Sequence, residues 1–530
     1  MTQAHPRTAV SPPFLRHPPR LLRLAGTLAI AASLSACASK PGPWPSRALP
    51  PEAAVTVDAT QFLSNKQLVD WQLDLDERHL RATGSPRHEA YIDALHERLL
   101  RAGVKQLRFE PVSFQQWSVE PGRWNLEVDD GERTGVLASA GYIPYSGVTP
   151  PSGITGRIVY LAPGAMPDAS LAGKLVLVDL PKVALTGKFF HQSAVHVHDP
   201  ENVMGPDAPY ARPFQMLGPF VTLLERLQAA GAAGVIAIID APASAAHGLY
   251  APYDREVRQL PGVFVDRDMG KRLRERVLAG TAPVIKLTMD AEVRQVQTRN
   301  LIGIIPGKSE EFTVINSHTD GTNGLEDNGP NAIVDIAQYL TRLPQDSLPR
   351  SIMLMLSSGH FAGGVGIEHF LDSHKDDGLT RRIASIVTIE HLGALEWLPD
   401  SNGFVRPTGK FEPAGMFSPR TPALMDAAYA MLKHANAAPA FVMPPTNPKG
   451  DGSPNDAVWP GEGQYFWGLQ RIPTINYITG PTYLLNYGMP TTDKVDFQRL
   501  HRETVAFTQL LLDLSRVPYD ELRKETTAAP

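Results

Sequence analysis

The chain has 530 residues, a length that corresponds to roughly three to four domains of about 150 residues each. Hydrophobic residues make up 43% and charged residues 20% of the chain, which excludes an intrinsically disordered protein. The formal net charge of −5 argues against a nucleic-acid partner, since such proteins usually carry an excess of basic residues. A single cysteine excludes an intramolecular disulfide, a zinc finger and an iron–sulfur cluster.

The N-terminal residues have the pattern of a targeting signal. An arginine-containing stretch, residues 14–23, precedes a small and apolar run at 24–36. This run is too short to span a bilayer as a mature helix, but it fits the hydrophobic region of a signal peptide. Residues 37–59, which are rich in proline, alanine and serine, are predicted to form a tether.

The end of the apolar run, Leu-Ser-Ala-Cys at 34–37, resembles a bacterial lipobox. The resemblance implies that residues 1–36 are removed and that Cys37 is acylated, so that the protein is held on a lipid bilayer through its acyl chains. Position 38 is alanine and not aspartate, which by the same resemblance favours the outer membrane, facing the periplasm. The alternative is a plain secretory signal with an incidental cysteine.

The soluble body begins with helical sequence. Between Tyr91 and Leu100 the apolar residues recur at spacings of three and four, which predicts a helix that ends before Gly103. The segment Arg81-Ala82-Thr83-Gly84-Ser85 before Pro86 predicts a turn.

From residue 122 onward the pattern changes to short strands, at 157–161, 174–178 and 235–239. After residue 299 it changes again, to buried strands at 312–317, 351–356, 383–389 and 474–478 with a helix at 333–340. Strands that alternate with helices predict an α/β fold, in which helices cover both faces of a mixed, mainly parallel sheet.

The middle segment resembles a protease-associated domain through residues 171–179, 229–236 and 260–265. The resemblance implies a β-rich insertion at 122–298, which acts as a lid or substrate-positioning wall. It divides a domain made of residues 60–121 and 299–518, and a C-terminal tail follows at 519–530. The histidines at 191, 196 and 198 within the insertion are predicted to be solvated, and a metal site built on the His-x-His spacing is the alternative.

The strongest chemical signal is the run Asn-Ser-His-Thr-Asp-Gly-Thr-Asn-Gly-Leu-Glu-Asp-Asn-Gly at 316–329. A strand delivers His318 and Asp320 to its carboxyl end, where open α/β sheets place their sites. Asp327 lies in a glycine-flanked turn that leads into a helix. Imidazole and carboxylate groups in this arrangement suit Zn²⁺.

This run resembles the zinc aminopeptidases and carboxypeptidases that include glutamate carboxypeptidase. The resemblance extends over both flanks, about residues 65–120 and 299–515. Transferrin receptor and nicastrin are non-peptidase relatives of this family. These enzymes usually hold two zinc ions bridged by one carboxylate. The resemblance implies that His318 is a zinc ligand oriented by Asp320, that Asp327 is the bridge, and that Glu390 completes this zinc site.

The chain departs from the family pattern at the other zinc site. His360 and Phe361 stand in place of the family's Glu-Glu pair, and Gly488 stands in place of its last histidine. Because neither phenylalanine nor glycine ligates a metal through its side chain, the resemblance implies one intact zinc site and one abolished site.

Two functions remain open from the sequence. The first is a metal-dependent hydrolase of peptide or amide bonds in the cell envelope, of the aminopeptidase or carboxypeptidase type, with one zinc ion and His360 as general base. An unperturbed imidazole pKa of about 6.5 suits that task, and His391 is an alternative base or a fourth ligand. The second is a catalytically inactive homologue that acts as a peptide-binding or scaffolding lipoprotein, and purified protein without bound zinc would favour it. The substrate, the terminus that is cleaved and the oligomeric state stay undetermined.

Overall fold

The computed structural model describes residues 56–129, 134–181, 183, 185–344, 347–445 and 459–525. The predicted signal peptide, Cys37 and most of the predicted tether lie outside these residues. Among the helices that can be described, none combines the length and the apolar character that crossing a bilayer requires.

The strands are β1 (Gln106–Ser118), β2 (Trp124–Asp129), β3 (Thr134–Val136), β4 (Gly141–Tyr142), β5 (Ile154–Leu161), β6 (Leu175–Asp179), β7 (Leu185–Thr186), β8 (His196–His198), β9 (Pro209–Tyr210), β10 (Gly234–Ile238), β11 (Gly262–Val265), β12 (Val284–Met289), β13 (Glu292–Ile305), β14 (Ser309–His318), β15 (Arg350–Ser357), β16 (Ile383–Ile389), β17 (Leu395–Pro399), β18 (Val405–Phe411), β19 (Ala414–Phe417), β20 (Ala440–Met443) and β21 (Thr474–Thr479).

The helices are α1 (Asn65–Glu77), α2 (Pro86–Arg101), α3 (Gly187–Ser193), α4 (Leu217–Ala229), α5 (Ala243–Ala246), α6 (Arg267–Leu278), α7 (Gly329–Leu340), α8 (Val365–Ser373), α9 (Pro422–Ala435), α10 (Gln464–Gln470) and α11 (Phe497–Leu514). The predicted turn before Pro86 is present: the Ser85 side chain accepts a hydrogen bond from the His88 backbone N–H and so caps α2.

The main sheet has nine strands in the order β1-β13-β15-β14-β16-β21-β19-β20-β8. The four central strands, β15, β14, β16 and β21, are parallel to one another, and β13 and β19 join them antiparallel on either side. The predicted mixed α/β architecture is therefore confirmed.

Alternate residues of the central strands face two different helical layers. In β15, Leu354 joins the core that contains Ile333 of α7, whereas Met353 joins a separate core with Phe370 of α8. Both faces of the sheet are buried, which explains why these strands are continuous apolar runs in the sequence.

A second sheet has eight strands in the order β3-β2-β12-β5-β6-β10-β11-β4. It is formed within residues 124–289, inside the predicted insertion at 122–298. The structure differs from the predicted boundary at 298/299, because β13 begins at Glu292 and pairs with β1 of the main sheet.

A segment of the insertion also leaves the second sheet. We call residues 185–215 the arm. Its strand β8 pairs with β20 at the edge of the main sheet, and Leu185 and Tyr210 of the arm share a core with Phe441 of β20. The arm histidines predicted to be solvated are packed instead: the ring of His196 stacks on Tyr429 at 4.6 Å.

The body also extends slightly beyond its predicted ends. Val57 of the predicted tether is buried, and its backbone N–H donates to Gln509 of α11 at 3.0 Å. At the other end, the Tyr519 hydroxyl donates to the Arg381 carbonyl at 2.7 Å and Leu522 is fully buried. Residues 519–525 therefore pack on the body and do not form a free tail.

Candidate metal centre

The candidate site lies at the carboxyl ends of the central parallel strands. β14 ends at His318, and Glu390 and His391 directly follow β16. His360 begins a short 3-10 turn after β15, and Glu326 lies in the loop between β14 and α7. We call these five residues the His/Glu cluster. Their position is the one that open α/β sheets use for binding sites.

The side chains of the His/Glu cluster converge. Nε2 of His318 and Nε2 of His391 each lie 3.8 Å from Oε2 of Glu390. Oε1 of Glu326 lies 3.7 Å from Nε2 of His391 and 3.9 Å from Nε2 of His360. Two groups, His318/His360/Glu390 and His318/Glu326/His391, each bring three ligand atoms within 4.8 Å of one another.

Backbone carbonyls orient two of the imidazoles. Nδ1 of His318 lies 2.8 Å from the Asp320 carbonyl, and Nδ1 of His391 lies 2.7 Å from the Thr479 carbonyl. A carbonyl only accepts, so each Nδ1 carries a proton and each Nε2 is the atom left to face the cluster. This is the arrangement that fixes a histidine as a metal ligand.

Ligand atoms of the cluster have no hydrogen-bond partner among the described residues. They are Nε2 of His318, Oε2 of Glu326, Nδ1 of His360, Oε2 of Glu390 and Nε2 of His391. All five residues are at least 94% buried. Since more than about 90% of buried polar groups in proteins have a partner, this concentration of unpartnered nitrogen and oxygen atoms fits a cation.

The electrostatics of the cluster also favour a bound cation. Burial acts to lower the pKa of His318. The negative charge of Glu326, together with the interactions of His318 with Glu390 and Glu462, outweighs burial and raises the pKa of His318 well above its usual value. Burial acts to raise the pKa of Glu390, yet its interaction with His318 and the charges of His391 and His360 lower it to about 2. The carboxylates thus stabilise positive charge at this point, whether a proton or a metal ion carries it.

His360 differs from the general base that the sequence predicts. Burial, followed by the charge of His318, lowers the pKa of His360 to about 3. Its ring stacks on that of His318, with centroids 4.3 Å apart and planes 15° from parallel. A group with this pKa is a weak proton acceptor near neutral pH, which argues against a general-base role, and the ligand atom of His360 lies in one of the two converging groups.

Asp320 acts on the site in a different way from the one predicted. Its carboxylate accepts hydrogen bonds from the backbone N–H groups of Gly359, His360 and Phe361 at 3.0, 3.2 and 2.8 Å, and from the Thr83 hydroxyl at 2.6 Å. The carboxylate therefore fixes the turn that carries His360, while the backbone carbonyl of Asp320 orients His318.

The structure also departs from the prediction at Asp327. Arg81 pairs with both oxygens of its carboxylate, with Nε 2.6 Å from Oδ2 and Nη2 on Oδ1, and both side chains are fully buried. Arg81 also donates to the Asn323 carbonyl at 2.8 Å. Asp327 is absent from both converging groups, because its charge is matched by Arg81. It anchors the loop that delivers the neighbouring Glu326.

The positions of the predicted abolished site supply no ligand atoms. Phe361 packs on the rings of Tyr250 and Tyr253, with centroids 5.6 and 5.0 Å apart. A Cβ added at Gly488 would have no atom within 4 Å.

Two glutamates of the site were not assigned from the sequence. Glu326 directly precedes Asp327, the residue that the sequence predicts as the bridge. Glu462, which lies between two glycines in the sequence, is fully buried, and its backbone N–H donates to Oε1 of Glu390 at 2.8 Å. The sequence signal for Glu462 is its position between two glycines. The structure explains the first of them, because a Cβ at Gly461 would lie 3.0 Å from Oε1 of Glu390.

A cavity of about 130 Å³ opens onto the cluster. Glu326, His360, Glu390 and His391 line one end. The rest of the wall is largely apolar, and part of it comes from the arm.

Solved structures with the same architecture include two aminopeptidases and a peptidase precursor. A peptidase M28 precursor from Shewanella amazonensis SB2B has a TM-score of 0.60 and 15% identity, over 88% of this chain and 98% of its own. The fold is that of the zinc aminopeptidases. BSAP, a zinc aminopeptidase from Bacillus subtilis, matches with a TM-score of 0.53 and 13% identity, over 88% of this chain and 95% of its own.

An aminopeptidase from Aneurinibacillus sp. strain AM-1 matches with a TM-score of 0.51 and 14% identity, over 86% of this chain and 95% of its own. No protein-family model matches the sequence, and no curated protein does.

Proposed function

We propose that this protein is a metal-dependent hydrolase of peptide or amide bonds, with one zinc ion held in the His/Glu cluster. The observation that carries the proposal is the convergence of five buried imidazole and carboxylate side chains whose ligand atoms lack partners. Three protein ligands with an open position are typical of a catalytic zinc site. The fold shared with zinc aminopeptidases supports the same class of chemistry.

His318, His360 and Glu390 are the proposed ligands, since their ligand atoms form one of the two converging groups. When bound there, zinc polarises the substrate carbonyl and makes water more acidic. His391 lies beside Glu390, and its imidazole adds to the interactions that keep this carboxylate ionised.

Glu326 is the proposed proton acceptor. Its carboxylate lines the cavity and lies within 4 Å of the imidazoles of His360 and His391. Burial raises the pKa of Glu326 above its usual value, which brings it nearer to the range in which a general base works at neutral pH. Glu326 would take a proton from the attacking water and return it to the leaving amine.

The substitution Glu326→Gln tests these assignments. We expect the variant to bind zinc as the unmodified protein does and to lose about 10²–10⁴-fold in kcat, the usual contribution of a general base. Glu390→Gln is the matched comparison, since it should lose the zinc ion itself. If Glu326→Gln loses zinc while it stays folded, the ligands are instead His318, Glu326 and His391.

A second function is favoured by the apolar positions at Phe361 and Gly488. They support an inactive homologue that binds peptides or acts as a scaffold. Zinc-loaded protein that hydrolyses no member of a peptide library but still binds peptides would favour this function over the first.

We also propose that the protein is a lipoprotein of the cell envelope, anchored through acylated Cys37 at the outer membrane and facing the periplasm, and that residues 122–298 form a protease-associated domain. The lipobox-like run at 34–37 supports the first proposal, and the separate sheet within residues 124–289 supports the second. Mass spectrometry of the mature N-terminus tests the anchor: an acylated Cys37 is expected, and Cys37→Ala should release the protein from membranes.

A further inference from the structure

We propose that two segments of the insertion hold the turn that carries His360, so that zinc binding and docking of the insertion favour each other. We call residues 141–147 and 250–258, both within the insertion, the clamp, and residues 359–364 the His360 turn. The inference rests on the proposed function, because it takes zinc as the ion of the His/Glu cluster. It goes further by assigning positioning residues and a means of regulation to that site.

The first segment of the clamp reaches the His360 turn through Tyr145. The Tyr145 hydroxyl donates a hydrogen bond to the backbone carbonyl of Phe361 at 2.6 Å, and Tyr145 is 3% exposed. The carboxylate of Asp320, which lies in the domain of the main sheet, accepts hydrogen bonds from backbone N–H groups of the same turn. The peptide groups around His360 are therefore held from two domains.

The second segment of the clamp packs along the same turn. The backbone N–H of Gly363 donates to the Tyr253 carbonyl at 3.0 Å, and the rings of Tyr253 and His360 have centroids 5.3 Å apart. Gly363 has a φ angle of +65°, and a Cβ at this position would lie 3.0 Å from a carbonyl oxygen of the clamp, so the contact requires glycine. An ion pair of 2.9 Å between Arg255 and Glu368 joins this segment to α8.

The backbone of the clamp adopts a costly conformation. Tyr145 and Arg255 have φ angles of +57° and +64°, in the left-handed region that residues other than glycine rarely occupy. The backbone N–H of Arg258 donates to the Tyr145 carbonyl at 2.8 Å and so links the two segments. The indole N–H of Trp117 donates to the Ser146 carbonyl at 2.8 Å. Backbone held in this way by its surroundings is found mostly at functional sites, which fits a positioning role.

These contacts link the metal centre to the insertion. His360 supplies one ligand atom of the group His318/His360/Glu390, and contacts that orient a ligand contribute to metal affinity. A docked clamp holds His360 in place for zinc, and a His360 turn fixed by bound zinc presents the Phe361 carbonyl and the Gly363 N–H to the clamp. Each event therefore raises the affinity of the other by the same factor, as thermodynamic linkage requires.

Tyr145→Phe tests the inference, because it removes the hydrogen bond and keeps the ring. We expect the zinc dissociation constant of the full chain, measured by competition with a chelator, to rise about tenfold or more, the usual effect of losing a contact that orients a ligand. Tyr160→Phe is the matched control, because the Tyr160 hydroxyl donates to Asp179 within the insertion and its loss should leave zinc affinity unchanged. A folded Tyr145→Phe variant with unaltered zinc affinity, or an equal loss in both variants, would overturn the inference.

Hydrogen exchange of the unmodified protein gives a second readout, which does not depend on the folding of a variant. We expect zinc to slow exchange of the Arg258 amide, which links the two clamp segments, by about fivefold or more. The Phe404 amide, which donates to the Asp400 side chain in an exposed hairpin, is the comparison and should exchange at the same rate with and without zinc. Exchange of the Arg258 amide that is unaffected by zinc would overturn the inference.

Hydrolysis of a peptide library is measured separately on the zinc-loaded proteins. Zinc affinity that depends on Tyr145, together with absent hydrolysis, would remove the proposed function and leave the clamp assignment standing. Hydrolysis by a protein whose zinc affinity and Arg258 exchange show no such coupling would overturn the clamp assignment and leave the hydrolase standing. Folded, unmodified protein that binds no zinc would overturn both.

Discussion

The buried ion pair between Arg81 and Asp327 distinguishes the metal site of the structure from the one that the sequence predicts. Both side chains are fully buried, and both carboxylate oxygens of Asp327 are paired with the guanidinium. Asp327→Asn leaves the Arg81 charge without a counter-charge. Removal of one partner of a buried pair costs about 3–5 kcal/mol, so this variant should unfold at a clearly lower denaturant concentration and still bind zinc.

The assay combines denaturant unfolding, followed by tryptophan fluorescence, with zinc analysis of the folded protein. Asp372→Asn is the matched control, because the Asp372 side chain is 82% exposed and its change should leave both measurements unaltered. If Asp327→Asn keeps the stability of the unmodified protein but no longer binds zinc, Asp327 is a metal ligand and the assignment made from the structure fails.

Two further predictions concern buried charges away from the zinc ligands. Burial raises the pKa of Asp335 from 3.8 to about 7. Between these two pH values the folded protein keeps a proton on Asp335 that the unfolded chain loses. The free energy of unfolding should therefore fall by about 4 kcal/mol as the pH rises from 4 to 7. Asp335→Asn, which keeps an acceptor for the Leu63 N–H, should abolish most of this loss. An equal loss of unfolding free energy between pH 5 and pH 8 in the variant and the unmodified protein would contradict the reasoning. Arg212→Met leaves the fully buried Glu412 without its ion-pair partner. We expect limited proteolysis of this variant to cleave first within the arm. Cleavage at the same sites as in the unmodified protein would show that Arg212 does not hold the arm.

The sequence predicted the central sheet well because burial on both faces leaves a continuous apolar signal. The run predicted at 383–389 coincides with β16, and the run predicted at 351–356 lies within β15. Helix α7 begins four residues earlier than predicted, at Gly329 and not at 333, since its first turn, Gly-Pro-Asn-Ala, lacks large apolar residues and is still buried. Propensity and periodicity do not report that kind of burial.

The candidate site was harder to predict, because contacts with residues far away in the sequence determine which of two adjacent side chains faces the cluster. His318, His360, Glu390 and His391 follow predicted strands, so the topology alone brings them together. Whether Glu326 or Asp327 faces the cluster depends on Arg81, which lies 246 positions before Asp327.

The arm escaped prediction for a related reason. Its pairing with β20 joins residues more than 200 positions apart, and neither strand alone carries a signal for that partner. Short edge strands of three or four residues, such as β8 and β20, are decided by tertiary packing.

The zinc content of the purified protein is the most direct test of the account. After exposure to zinc and removal of loosely bound ions, mass-spectrometric metal analysis should find one zinc ion per chain. His318→Ala should abolish it, while His434→Ala, a change at an exposed histidine of α9, should retain it. Folded, unmodified protein that binds no zinc under these conditions would contradict the claim that the His/Glu cluster is a metal centre.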